Sequence, residues 1–272
     1  MERLQLSLKD VPKTLLLPLW GRAQMSRTGK HILSDPTAIE IVSKLDVDFS
    51  LIDADLDTSK NLSWIARARQ IDDRVVEFAG RHPQALVINI GAGLDTTFSR
   101  VDNGLMRWIT IDLPEVIEIR GQLIPARERE EIIEGSIFDP ATLDNIESRG
   151  RPILFIAGGV FFYFEESNLR TLFVELGRRF PGAEIVFDAF TPAGVRKANE
   201  MLKRVEMGDS PLQWGTESAK AIEQWCPTLE VLDQYEYFRG LDLRGIPLKS
   251  RIMVLFNRLL RVMTIVHARW NV

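Results

Sequence analysis

The stretch VINIGAGLDTTFSR, residues 87–100, decides how the rest of the chain is read. An apolar run with β-branched residues reaches Gly91, turns through Ala92 and Gly93, and meets Asp95, Thr96 and Thr97. Such a run fits a central parallel strand, because helices cover both faces of a parallel sheet. Gly91 and Gly93 let the backbone turn tightly and approach a ligand with no Cβ in the way. In an open parallel sheet, ligands bind outside the carboxyl ends of the strands, where this turn falls.

Working outward, residues 62–80 predict a helix capped by Asn61 or Ser63 and ended by Gly80. Ala68, Ile71, Val75, Phe78 and Ala79 form its apolar stripe. Asp35-Pro36 predicts an earlier helix start, with Ala38, Ile39, Val42 and Leu45 on one face. Downstream, RWITIDLPEV reads as a strand ending near Asp112, with a helix opened by Pro114. REEIIEGS is a third strand, and PILFIAGGVFFYF a fourth that runs into Gly158 and Gly159. SNLRTLFVELGRRF is a helix with Leu169, Leu172, Phe173 and Leu176 inward, and GAEIVFDAF is a fifth strand. Helices follow around 192–207 and 216–226, and TLEVLDQYEYF and MTIVHARW read as an antiparallel edge pair. This alternation predicts an α/β fold: a Rossmann-like, doubly wound, mostly parallel seven-stranded sheet.

The bulk numbers agree with a soluble enzyme. The 272 residues suffice for one domain with a sizeable core. The net charge of −4 gives no basic excess for nucleic acid. The single cysteine, Cys226, cannot form an intrachain disulfide and reads as a small buried hydrophobe. Lys9, Asp10 and Pro12 interrupt any signal-peptide core. RIMVLFNRLLRVMTIVHARW is broken by Arg258 and Arg261, so no membrane span and no membrane partner is expected. These features place the protein in the cytoplasm.

Asp112 lies roughly 20 residues beyond the glycine turn, where an acid can accept hydrogen bonds from a ribose diol. The dinucleotide pattern G-x-G-x-x-G is not completed, because Thr96 holds the third glycine position. This weakens a nicotinamide-dependent oxidoreductase. Asp95 beside the turn disfavours a pyrophosphate and tolerates an ammonium or sulfonium, which points to S-adenosylmethionine.

These residues resemble the leucine carboxyl methyltransferase family and its bacterial polyketide-type relatives of the tetracenomycin kind. VINIGAGLDTTFSRVDN followed by TIDLPEVIEIR carries the resemblance, with GRAQMSRTGKHILSDPTA and WIARARQIDDRVVEF upstream and LFIAGGVFFYFEESNLRTLF and PGAEIVFDAF downstream. It implies a single class I methyltransferase domain over 1–272, with residues 1–60 as a helical lid and 61–272 as the core. It also implies S-adenosyl-L-methionine as cofactor. Gly91, Ala92 and Gly93 would pass the methionine part, with Asp95 beside them. Arg67 would pair with the methionine carboxylate. Asp112 and Leu113 would take the ribose, and Ser136 and Ile137 the adenine. Gly158 and Gly159 would complete the cofactor site. Arg22 matches a position that looks like a binder of the substrate carboxylate, and Tyr163 would orient the acceptor.

Two departures stand out. Ser136 occupies the place where the family commonly has an acid toward adenine, and Asp139 follows three residues later. Ala157-Gly158-Gly159-Val160 replaces Ala-Glu-Gly-Val. They motivate a second reading, a non-catalytic module that binds the cofactor or its product.

A carboxylate acceptor is already ionised at neutral pH, whereas a phenol benefits from a base. The chain offers only His31, His82 and His267, none at a predicted strand end. His31, nearer the lid, is the one placed to touch substrate. This scarcity favours methylation of a carboxylate of a small metabolite over a phenol. Trp20 and Met25 would belong to the lid that closes over it. A homodimer is an open possibility.

Overall fold

A computed structural model describes residues 13–28, 32–47, 49, 58–125, 127–204 and 210–272. His31 lies outside them.

Seven strands form one sheet in the order β3-β2-β1-β4-β5-β7-β6. They are β1 (Leu86–Ile90), β2 (Arg107–Asp112), β3 (Glu130–Glu134), β4 (Ile153–Ala157), β5 (Glu184–Phe190), β6 (Leu229–Glu236) and β7 (Met263–Trp270). The first five are parallel, and β7 runs antiparallel to both β5 and β6. The switch point lies between β1 and β4, so β1 is central and all five of its residues are buried.

Strand alternation sorts side chains between two layers, as a pleat with period two requires. Ile88, Ile109, Phe155 and Phe187 enter one layer, and Val87, Trp108, Leu154 and Val186 the other. The flanking helices are α1 (Lys13–Arg27), α2 (Pro36–Lys44), α3 (Thr58–Arg81), α4 (Thr97–Val101), α5 (Pro114–Leu123), α6 (Pro140–Asp144), α7 (Glu166–Arg179), α8 (Pro192–Arg204) and α9 (Leu248–Leu260). The expected stripe of α3 is buried throughout: Ala68, Ile71, Val75, Phe78 and Ala79 pack onto the sheet. In α7, Leu169, Leu172, Phe173 and Leu176 face inward as expected. Asp35 caps α2, its carboxylate accepting from the Ala38 N–H at 2.9 Å.

Two local expectations are corrected. Helix α3 starts at Thr58, so Asn61 and Ser63 lie inside it and do not cap it. Residues 219–225 form a 3-10 turn. Strands β6 and β7 form the expected antiparallel pair at one edge of the sheet, with β6 outermost and β7 between it and β5. The burial of Thr264, Ile265, Val266, His267 and Ala268 suits that interior place.

His267 has a structural role at the opposite end of the sheet from the glycine turn. Its Nε2 lies 2.7 Å from Glu184, whose carboxylate also accepts two hydrogen bonds from Arg81 at 3.0 and 2.9 Å. Burial pushes the Glu184 carboxyl up, but His267 and Arg81 outweigh it and hold it down to about 2. The unfolded value is about 4.3. The pair therefore stabilises the fold above that pH, and its contribution is lost as the pH falls through the folded value. Glu184→Gln is expected to cost about 2–3 kcal/mol at neutral pH, the cost shrinking between about pH 4 and 2. Urea midpoints measured across that range check it.

Candidate active site

The glycine turn is held rigidly from below. Gly91 and Gly93 have φ of 60° and 50°, a left-handed conformation that favours glycine. The N–H groups of Gly91 and Ala92 donate to the Ile111 carbonyl at 2.9 and 3.3 Å, tying the turn to β2. Three successive carbonyls then each meet a buried guanidinium. Arg120 of α5 donates to Gly93 O at 3.0 Å and Asp95 O at 2.7 Å, and Arg22 of α1 donates to Leu94 O at 2.7 Å. Asp112 closes the turn from the side, its carboxylate accepting from the Gly93 N–H at 2.6 Å and the Leu113 N–H at 2.8 Å.

This geometry gives Arg22 a task other than the expected one. Its side chain is 6% exposed and lies 3.0 Å from Asp35. Asp35 also accepts from Arg100 at 2.8 Å and from Thr96 at 2.5 Å. Arg100 reaches both oxygens of Asp72, at 2.7 and 2.8 Å. The cluster clamps α1 and α2 onto the turn, and Arg22 is committed to it rather than open to a substrate carboxylate. Asp95 belongs to the same cluster, accepting from Asn89 at 2.9 Å and Thr97 at 3.0 Å with Arg100 at 3.7 Å. Burial pushes its carboxyl up, but Arg100, Arg22 and the Thr97 hydroxyl outweigh this and hold it below the usual range. Asp95 keeps its charge and spends it inside the protein, so the argument that a cationic ligand answers it loses force.

The carboxyl ends of β2 and β3 lie side by side, Asp112 being in register with Glu134. Here stand the half-buried Asp112, the exposed Leu113, the half-buried Ser136 and the buried Ile137. Burial lifts the Asp112 carboxyl above its ordinary value, against the pull of the two N–H groups. Asp139 caps α6, accepting from the Ala141 N–H at 3.0 Å. Ser136, whose Oγ accepts from the Phe138 N–H at 3.3 Å, lies two residues beyond the exposed Glu134 that ends β3.

A second cluster lies at the ends of β4 and β5. Asp188 is fully buried in β5. It accepts from the Gly159 N–H at 2.6 Å, from Arg67 Nη1 at 3.3 Å and from the Tyr237 hydroxyl. Gly159 has φ of 86°, and a Cβ there would come within 2.5 Å of Arg67 Nη1. A Cβ at Gly158 would come within 2.7 Å of Ile71. The two glycines therefore leave room for Arg67 and α3 to lie directly against the strand end. Burial lowers the Arg67 pKa, but Asp188 and Tyr237 outweigh this and raise it, so the cation is secure. Tyr163 lies within electrostatic reach of Arg67 and Asp188, and burial raises its pKa. Burial, then Asp188, raise Tyr237 well above an ordinary phenol.

Asp188 and Tyr237 were not singled out from the sequence. The one signal for Asp188 is an acid inside the otherwise apolar strand EIVFDAF. Trp20 stacks on Phe49 at 4.2 Å, and Met25 joins the core against α3.

A side-chain set of one half-buried carboxylate, one exposed leucine and one hydroxyl at adjacent strand ends fits a nucleoside. A buried guanidinium at the neighbouring strand ends fits a carboxylate. Both are parts of S-adenosylmethionine. Comparison with known proteins agrees. Residues 16–176 match the model of the family described as leucine carboxyl methyltransferase. The chain is 31% identical over 232 residues to the tetracenomycin polyketide synthesis O-methyltransferase TcmP of Streptomyces glaucescens, covering 84% of this chain and 83% of that one. It is 29% identical over 206 residues to the S-adenosyl-L-methionine-dependent methyltransferase dpfgK of Gibberella zeae, covering 70% and 69%. Among solved structures, a DUF574 family protein of Streptomyces avermitilis shares the fold with a TM-score of 0.60 at 16% identity, over 92% of this chain and 97% of that one. The chain belongs to the leucine carboxyl methyltransferase family and is an S-adenosylmethionine-dependent methyltransferase.

Proposed function

We propose that this methyltransferase acts on a carboxylate oxygen of a small, polyketide-like acid. The observation that carries the reading is the state of the groups around Gly158 and Gly159. Arg67 stays cationic, and the phenols of Tyr163 and Tyr237 are pushed toward their protonated forms. These are hydrogen-bond donors and positive charge; the carboxylate with them, Asp188, already accepts from the Gly159 N–H, Arg67 and the Tyr237 hydroxyl. A carboxylate needs no deprotonation before attack, having a reference pKa of about 4. A phenol needs a proton acceptor. Membership of the leucine carboxyl methyltransferase family supports a carboxyl group, and likeness to TcmP, a polyketide synthesis O-methyltransferase, supports an oxygen acceptor and a polyketide context.

In this reading the cofactor supplies an electrophilic methyl group and its leaving group. The protein's share is binding, alignment and exclusion of water. Asp112 accepts the ribose hydroxyls, and Arg67 faces the amino-acid carboxylate with a planar fork of donors. Gly91, Ala92 and Gly93 form the floor, Leu113, Ser136 and Ile137 border the adenine, and Gly158 and Gly159 let Arg67 approach. Tyr163 donates to the acceptor and orients it. Helix α1 serves as the cover over the turn: a Cβ on Gly93 would come within 2.8 Å of Leu15.

The pH dependence of kcat/KM tests the choice of acceptor. With an aromatic carboxylic acid the rate is expected to stay flat through neutrality and fall only as the acid protonates, near pH ~4. A rate that climbs with pH toward the phenol value of ~10 would favour a phenolic acceptor instead.

A further inference from the structure

Helix α9 has an outer face that the fold does not use. Val254 and Ser250 anchor it to the core, and Leu248, Ile252, Leu255, Phe256, Leu259 and Leu260 point outward. Leu248 is 70% exposed and Leu259 77%. These residues recur at three- and four-residue intervals, so they form one continuous stripe. A surface helix normally turns a polar face to water. Here the apolar face is the outer one, and a contiguous exposed patch of this kind marks an interaction surface.

The charges beside the stripe identify its partner. Between residues 239 and 262 the chain carries Arg239, Arg244, Lys249, Arg251, Arg258 and Arg261. Arg239 pairs with Asp233, Arg244 with Asp242 and Arg258 with Glu236, so the six cations outnumber these three acids. The whole chain is acidic, with a net charge of −4, so this is a local concentration of the opposite sign. Helix α9 itself has no acidic residue. Two such helices laid against each other would bring basic flanks together, which disfavours a second copy of the chain. A stripe of leucine, isoleucine and phenylalanine flanked by arginine and lysine matches a bilayer surface. The apolar side chains enter the acyl boundary, and the cations meet anionic headgroups. No helix of the described residues is long and apolar enough to cross a membrane, and α9 would lie along one.

The placement is also specific. The segment joining β6 to β7 leaves and rejoins the sheet beside the carboxyl end of β5, where Ala189 is in register with Thr264 and Thr264 with Glu236. Gln70 of α3 fixes its start, donating to Tyr237 O at 2.9 Å and Arg239 O at 2.8 Å. Helix α9 thus stands at the same end of the sheet as Gly159 and Asp188. We propose that the outer face of α9 is a docking surface for anionic lipid bilayers, holding the catalytic end of the protein against the membrane. This revises the expectation that no membrane is a partner, and it holds whatever the acceptor is.

Co-sedimentation of the full chain with vesicles tests it, comparing phosphatidylcholine alone with a mixture containing phosphatidylglycerol, at low and high salt. The protein is expected to bind the anionic vesicles at least about tenfold more strongly, and less so as salt screens the charges. The double variant Leu255→Glu, Phe256→Glu is expected to lose that binding while keeping its melting temperature and its affinity for S-adenosylmethionine. Arg251→Glu is expected to weaken binding to anionic vesicles only. Absence of wild-type binding, or full binding by the double variant, would overturn the proposal. A solution dimer that the double variant dissociates, with no vesicle binding, would overturn it in favour of a second copy. Binding to poly-glutamate without vesicle binding would overturn it in favour of an acidic protein.

Discussion

Replacing Asp112 by alanine is expected to weaken S-adenosylmethionine binding by about a hundredfold. The residue ends β2 beside the glycine turn, and two ribose hydroxyls would donate to its carboxylate. Hydrogen bonds to a charged group are each worth about 1.5–3 kcal/mol, and about 1.4 kcal/mol is tenfold in affinity. The variant also frees the Gly93 N–H, which Asp112 holds at 2.6 Å. Asp112→Asn separates the two effects, because its amide oxygen can still accept from Gly93. It is expected to lose about tenfold in affinity, for one charge-assisted bond. Calorimetric titration of both variants, with melting temperatures alongside, checks the ranking. Burial raises the Asp112 carboxyl, so wild-type affinity is expected to fall on acidification before ordinary carboxylates protonate. Equal affinity for wild type and Asp112→Ala would remove the ribose role.

The largest effect on stability is expected at Arg100. Its guanidinium is 6% exposed and answers Asp72 and Asp35 directly, with Asp95 at 3.7 Å. Arg100→Met fills much of the volume and leaves those carboxylates without their shared cation. Removing one member of a buried ion pair typically costs about 3–5 kcal/mol, because a buried charge loses its partner. For a chain of this size that lowers Tm by about 10 °C. Because the cluster joins α1 and α2 to the turn, hydrogen exchange is expected to rise first in those helices and in residues 91–97. A Tm within 2 °C of wild type, a shift of under about 1 kcal/mol, would show that the cluster is not the clamp described.

The core of the fold was legible because its signals are local. Continuous apolar runs marked β1, β4 and β5, and proline at the first helical turn marked α2 and α5. The glycine turn and Asp112 were legible for the same reason, being separated by a single crossover. What the sequence hid depends on distant contacts. Arg67 and Asp188 are 121 residues apart, and Tyr237 reaches them from beyond β6. No spacing rule joins three such positions. Arg22 was misread because a basic residue near a lid looks available until Asp35 and the Leu94 carbonyl are found beside it. The outer face of α9 was read only as too charged to span a membrane. Its arginines flank the stripe without breaking it, a distinction that requires the helix to be oriented.

The most direct test of the account is to incubate the protein with methyl-labelled S-adenosylmethionine and a panel of aromatic carboxylic acids and phenols, then treat the products with mild alkali. The account predicts label on the acids alone, released as methanol because a methyl ester hydrolyses. Label that survives alkali on a phenolic ether would contradict it.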